Sequence, residues 1–163
     1  MPREMIIRFV AENVSARVLL LDQEARRSCA ALWRALPFSG EGLHAAYSGT
    51  EIALLIDPSI EIGEENATEC IQTGDVMYTR YKPGVRHGHP EAGSGIHWAY
   101  DRYVRPTTPG QWTPAISNVF GRIIGDAAAF YDACRRMRRE GAKQIEITAG
   151  RPSGRGRPVR KRA

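Results

Sequence analysis

Short apolar runs separated by turn-forming clusters dominate the chain, and only two stretches repeat with helical spacing. Ile7 and Phe9 flank Arg8 in an alternating strand pattern over residues 5–10, and Ala11-Glu12-Asn13 turns into the Val- and Leu-rich run 15–21. Ala25, Cys29, Leu32 and Leu36 then recur at i, i+4, i+7 and i+11, one stripe of a helix over residues 23–36. Arg26, Arg27 and Arg34 fall elsewhere on its circumference. Asp22 is predicted to cap its start and Pro37 to end it.

Residues 42–47, Ser48-Gly49 and residues 51–56 read as a hairpin, with Gly49 supplying a positive φ in the turn. A polar connection from Glu64 ends at the turn signal Gly74-Asp75, and residues 75–81 form the next strand. Residues 82–95 are rich in Gly, Pro and His and predict a long loop. A strand over 96–103, a Pro-rich loop containing Trp112 and a strand over 117–124 follow. Asp126 opens a second helix over 127–140, with Phe130, Cys134 and Met137 on one face and Gly141 at its stop. Ile145 and Ile147 point inward from a last strand over 143–148. Eight strands without βαβ alternation predict a mainly β fold: a closed barrel of about eight strands, with two helices covering its openings.

The 163 residues suit one domain, predicted over residues 1–150, with a basic, disordered tail over 151–163. The net charge of +5 is a property of that tail, which holds six basic residues and no acid, leaving 17 basic against 18 acidic residues in the body. Arg and Lys there would displace phosphate counterions, but no aromatics are interleaved, so a solvated extension is expected rather than a nucleic-acid arm. Cys29, Cys70 and Cys134 are odd in number and widely spaced, which favours a reducing compartment over a disulfide framework. With no signal-like opening and no apolar run approaching the roughly 20 residues needed to cross a bilayer, a cytoplasmic protein with no membrane partner is expected.

Val119-Phe120-Gly121-Arg122-Ile123-Ile124-Gly125, a helix, and Lys143-Gln144-Ile145-Glu146-Ile147 resemble the closing segments of the cyclophilin-like superfamily. Asp22, Ala25 and Ala35-Leu36-Pro37, then Glu65-Asn66-Ala67, Gly74-Asp75-Val76-Met77-Tyr78 and Asn118-Val119-Phe120-Gly121, resemble its small bacterial members of unknown function. The resemblance covers residues 4–149 and implies the barrel fold. Cyclophilins that isomerise prolyl bonds carry Phe-His-Arg and Gln-Gly-Gly-Asp segments, and nothing of that kind lies between Gly42 and Thr73. The resemblance therefore implies the fold without the isomerase activity. It also implies a runner-up reading, an enzyme or enzyme subunit of amide or imide metabolism of the allophanate-hydrolase or oxoprolinase type.

His87-Gly88-His89, with His97 and His44, has imidazoles enough for a metal. The spacing is nevertheless that of loop histidines, and neither a metal nor a cofactor is expected. Cys29 and Cys134 lie on helical apolar stripes and read as core, while Cys70 lies in a loop. The richest constellation is His44, Tyr47, Tyr78, His97, Trp98, Tyr100 and Arg122, aromatics with sparse polar groups on neighbouring strands. This is the inventory of a small-ligand cleft, and equally of a packed barrel wall. Such a cleft would be lined by residues 42–47, 75–78 and 96–100 and rimmed by the loop over 82–95. Strand parity puts Trp98 and Tyr100 on one face and His97 on the other: the aromatic pair serves an interior cleft, His97 an outer one. Arg122 shares parity with Phe120 and, if inward, needs a carboxylate or a ligand's acid group. The expected partner is a small molecule of unknown identity, and a homo-oligomer stays open.

Overall fold

In the computed structural model, residues 2–45, 47–56, 59–82, 93–107 and 114–150 are described. Their order is β1 (Glu4–Phe9), β2 (Val14–Leu20), α1 (Arg26–Ala35), β3 (Phe38–His44), β4 (Gly49–Ile56), β5 (Ala67–Thr68), β6 (Asp75–Tyr81), β7 (Gly93–Val104), β8 (Ser117–Ile124), α2 (Ala128–Glu140) and β9 (Lys143–Ala149). The neighbours run β2-β1-β9-β3-β4-β7-β6-β8, and β8 pairs back onto β2, so eight antiparallel strands close on themselves. The two-residue β5 adds to β8 outside this ring.

Period-two burial gives the barrel its interior. Ile7, Phe9, Val18, Ile52, Leu54, Val76, Tyr78, Ile96, Trp98, Tyr100, Phe120, Ile145 and Ile147 belong to one buried cluster. Ala25, Cys29 and Leu32 of the α1 region join it, as do Phe130, Ala133, Cys134 and Met137 of α2. Phe130 meets Phe9 and Trp98 at ring centroid distances of 5.1 and 6.0 Å. A helix reaches inward-pointing rings of a closed barrel only through an opening, so α2 plugs one end.

Three expectations change. The α1 helix begins at Arg26 without a side-chain cap from its own flank; Asp22 lies four residues upstream and accepts instead from the Arg3 guanidinium, through Nε at 3.2 Å. The cap comes from Glu65, far along the chain, whose carboxylate accepts from the Arg27 and Ser28 backbone N–H groups at 3.0 and 2.7 Å. Residues 93–95, expected in a loop, are strand. And Arg122 does not share a face with Phe120. Val76 pairs with Gly121 while Met77 pairs with Val119, so Phe120 is one extra residue on β8, a bulge that reverses parity beyond it. Arg122 points outward, 54% exposed, and donates to Asp75 Oδ1 at 2.8 Å.

Asp126 does serve α2, accepting from the Ala128 N–H at 3.1 Å. Gly49 and Gly74 have φ of +90° and +88°, as their turns require. His87, His89, Trp112 and the tail over 151–163 lie outside the described residues.

Candidate functional site

The constellation singled out in the sequence is divided by the sheet. Tyr78, Trp98 and Tyr100 point into the barrel and are buried. Their polar tips are satisfied within the chain: Tyr78 donates to the Ile60 carbonyl, and Trp98 Nε1 donates to Cys134 Sγ at 3.4 Å. Tyr100 Oη and His44 Nε2 lie 2.7 Å apart. Burial pushes the His44 imidazole below its usual pKa, with the positive charge of Arg138 adding to the effect. Tyr47 is 54% exposed in the β3–β4 turn.

His97 stands apart, on the outer face of β7. Its neighbours there are Ala53 on β4 and Met77 on β6, and Met77 and Ala99 belong to a small outer cluster with Ile71 and Val119. Two groups missed in the sequence join it. Glu51 Oε1 lies 2.6 Å from His97 Nδ1, and Tyr81 Oη lies 2.8 Å from Nε2. Glu51 and His97 are 3% and 6% exposed, a carboxylate and an imidazole out of water on the outside of a barrel. The Tyr81 ring meets the imidazole edge-on, at 6.1 Å and 66°.

The backbone makes room for these rings. Gly93 and Gly95 precede His97 at period two, so the face of β7 beside it is bare backbone. A Cβ at Gly95 would sit 2.8 Å from His97 Nε2, closer than side chains tolerate, and 3.3 Å from the Leu54 carbonyl. The second oxygen of Glu51, Oε2, is buried with no partner among the described residues. A buried carboxylate oxygen without a donor costs on the order of 1–3 kcal/mol or more.

Elsewhere the buried polar groups hold the fold together. Asn118 accepts from the Glu65 N–H at 3.1 Å and donates to the Gly63 carbonyl at 2.8 Å, while Asn66 Nδ2 donates to the Val119 carbonyl at 2.7 Å. Burial would push the Glu65 carboxyl up, but hydrogen bonds from Ser28 and Arg27 outweigh it and hold it at about 2. Asp75 Oδ2 accepts from the Gln72 N–H at 2.8 Å, closing the turn before β6. The residues that looked like motifs in the sequence are therefore clamps between β8, α1 and the connection leading to β6. A groove of about 380 Å³ runs along α1, lined by Arg26, Arg27, Arg34 and Glu61 among others. Arg27 in it is engaged by Glu65, and Glu61 by Arg80.

No group of three or more metal-ligating side chains comes together among the described residues. Nor is any described helix long and apolar enough to cross a membrane.

A family model described as "Protein of unknown function (DUF3830)" matches residues 7–149. The chain belongs to the DUF3830 family. Among solved structures, the DUF3830 chain is similar to that of McbB in complex with tryptophan, with a TM-score of 0.64 and 13% identity over 94% of this chain and 46% of that one. It thus spans less than half of the McbB chain. It is also similar to the solution structure of the hypothetical protein AF2241 from Archaeoglobus fulgidus, with a TM-score of 0.51 and 20% identity over 90% and 94% of the two chains. At these identities the likeness is one of fold. No curated protein matches the chain.

Proposed function

We propose that this DUF3830 protein is a cyclophilin-like barrel that binds a small molecule on the outer face of β4, β7 and β6, over His97, and does not isomerise prolyl bonds. The observation that carries this reading is the hydrogen-bonded chain Glu51–His97–Tyr81 on that face, its first two members buried. Glu65, Asp75 and Asn118 each bond backbone groups and so serve the fold, whereas the hydrogen bonds of Glu51 and His97 run from side chain to side chain along an outer surface. Sparse polar groups within apolar surroundings, here Ala53, Met77 and Ala99, are what orient a small ligand. The interior offers a poorer home, since its aromatic rings pack against one another and against α2. The outer-face guanidinium of Arg122 is already held by Asp75, which leaves it ill placed to act on a prolyl nitrogen.

Native mass spectrometry of freshly purified protein tests the reading. A bound species is expected on the wild type and lost from His97→Ala, with the Ala variant as folded as wild type by circular dichroism. A species retained in full by His97→Ala would overturn it, as would no bound species on the wild type either as purified or after incubation with a metabolite extract.

A further inference from the structure

The three side chains over β7 form a directed chain, and its direction bears on chemistry. An ionised carboxylate only accepts, so Nδ1–H of His97 donates to Glu51 Oε1 across 2.6 Å. In the neutral ring this tautomer leaves the lone pair of Nε2 facing Tyr81 Oη at 2.8 Å, and the phenol donates its proton to it. A hydroxyl hydrogen-bonded to an imidazole, itself oriented by a buried carboxylate, is the arrangement that activates an oxygen nucleophile or base. Glu51 and His97 are almost wholly buried and Tyr81 is half-buried, so accessibility rises along the chain from the carboxylate to the phenol.

We propose that Tyr81 is a catalytic proton-transfer residue, with His97 and Glu51 as the residues that position and activate it, acting on a neutral or cationic substrate that carries an N–H donor. In the step, Tyr81 Oη takes a proton from the bound substrate while its own proton passes to His97 Nε2. The substrate keeps the electron pair of the broken bond, and the imidazolium charge is balanced by the Glu51 carboxylate. The reverse transfers protonate the product and restore the resting chain, so no oxidant, reductant or further reactant is consumed.

The substrate class follows from the charges on the face. Glu51 Oε2 is buried and without a hydrogen-bond partner among the described residues, so no donor offsets the carboxylate there. Among the described residues Arg122 on this outer face is held by Asp75, and the Glu51 carboxylate beside His97 disfavours an anionic substrate. A purely structural role for the trio does not explain the empty oxygen.

The inference rests on the outer-face ligand reading and has its own test, which needs no substrate. The native full chain is treated with an aryl sulfonyl fluoride, and labelled tyrosines are mapped by peptide mass spectrometry. The phenol oxygen forms the S–O bond, fluoride leaves, and the phenol proton goes to His97. Tyr103, 72% exposed, is the internal reference for an unassisted phenol. Tyr81 is expected to label on the order of 10²-fold faster than Tyr103, the usual scale of assistance by a positioned base. His97→Gln and Glu51→Gln should each remove that advantage while leaving the Tyr103 rate unchanged, with circular dichroism and a thermal melt showing that each variant is folded. Labelling of Tyr81 no faster than Tyr103, or an advantage that survives His97→Gln, overturns the proposal. Native mass spectrometry of Tyr81→Phe separates the two readings. A retained ligand beside an unreactive Tyr81 sinks the relay and keeps the binding site, whereas a reactive Tyr81 on a protein that binds nothing sinks the binding site.

Discussion

Gly95 and His97 share one face of β7, and a methyl group on Gly95 would lie 2.8 Å from Nε2 of His97. The imidazole sits where a side chain at 95 would project. Gly95→Ala therefore has to push the ring away from Tyr81 or shift the strand. Overpacking of this kind costs ~1–3 kcal/mol, and each kcal/mol moves the midpoint of a domain this size by roughly 2–4 °C. A thermal melt should show a loss of several degrees, together with loss of ligand. An unchanged midpoint with ligand retained would mean that the ring is not held over Gly95.

Glu65 should be worth more to stability than its place in a connecting segment suggests. Its folded pKa, about 2, lies below the ordinary 4.5. The stabilisation is therefore fully present above pH 4.5 and is lost as pH falls through about 2. A shift of this size corresponds to something on the order of 3 kcal/mol. Denaturant unfolding of Glu65→Gln at pH 7 should show a deficit of that order, narrowing towards pH 2–3. A deficit that stays constant across this range would show that the carboxylate charge is not what caps α1.

The cysteines divide by burial. Cys29 and Cys134 are fully buried, and burial pushes both thiols up to about 12, whereas Cys70 is exposed. Thiolate is the reactive form, so iodoacetamide on the native protein at pH 8 should modify Cys70 and spare the other two until the protein unfolds. Rapid native alkylation of Cys134, which accepts the Trp98 indole N–H, would contradict the packing described for α2.

Asp75 and Arg122 form an unequal pair. The carboxylate is buried and also holds the Gln72 N–H, while the guanidinium is half in solvent. Asp75→Ala should cost ~1–3 kcal/mol through the stranded turn, and Arg122→Ala no more than ~1 kcal/mol. Equal losses, read from chemical denaturation, would show that the ion pair rather than the turn is the important contact. Ligand binding should survive Arg122→Ala.

Much of the barrel was legible because its signals are local. The stripe through Cys29 and Leu32, the turn glycines 49 and 74 and the alternation around Ile145 and Ile147 each depend on neighbours in sequence. The site was less legible because it depends on register between strands. His97 could be named and assigned to the face opposite Trp98, but Glu51 on β4 and Tyr81 on β6 meet it only through pairings that no local pattern encodes. A signal was present in Gly93 and Gly95, which align with His97 at period two, yet two glycines beside a Gly- and Pro-rich run read as loop. The bulge at Phe120 likewise reversed the parity of Arg122 without leaving a mark in composition. Glu65, Asn66 and Asn118, singled out in the sequence through the resemblance, join distant elements by hydrogen bonds and tie the fold together.

The central claim is that the outer face over His97 is where this protein meets its ligand, and backbone and methyl NMR mapping tests it most directly. The protein is titrated with the molecule that co-purifies or, failing that, with a set of small amine-bearing compounds. Perturbations are expected to concentrate on Glu51, Ala53, Met77, Gly95, His97 and Ala99, and to weaken at least tenfold in apparent affinity, or about 1.4 kcal/mol, in His97→Ala. Perturbations centred instead on the groove beside Arg26 and Arg34, or on the rings of Trp98 and Phe130 inside the barrel, would contradict the account.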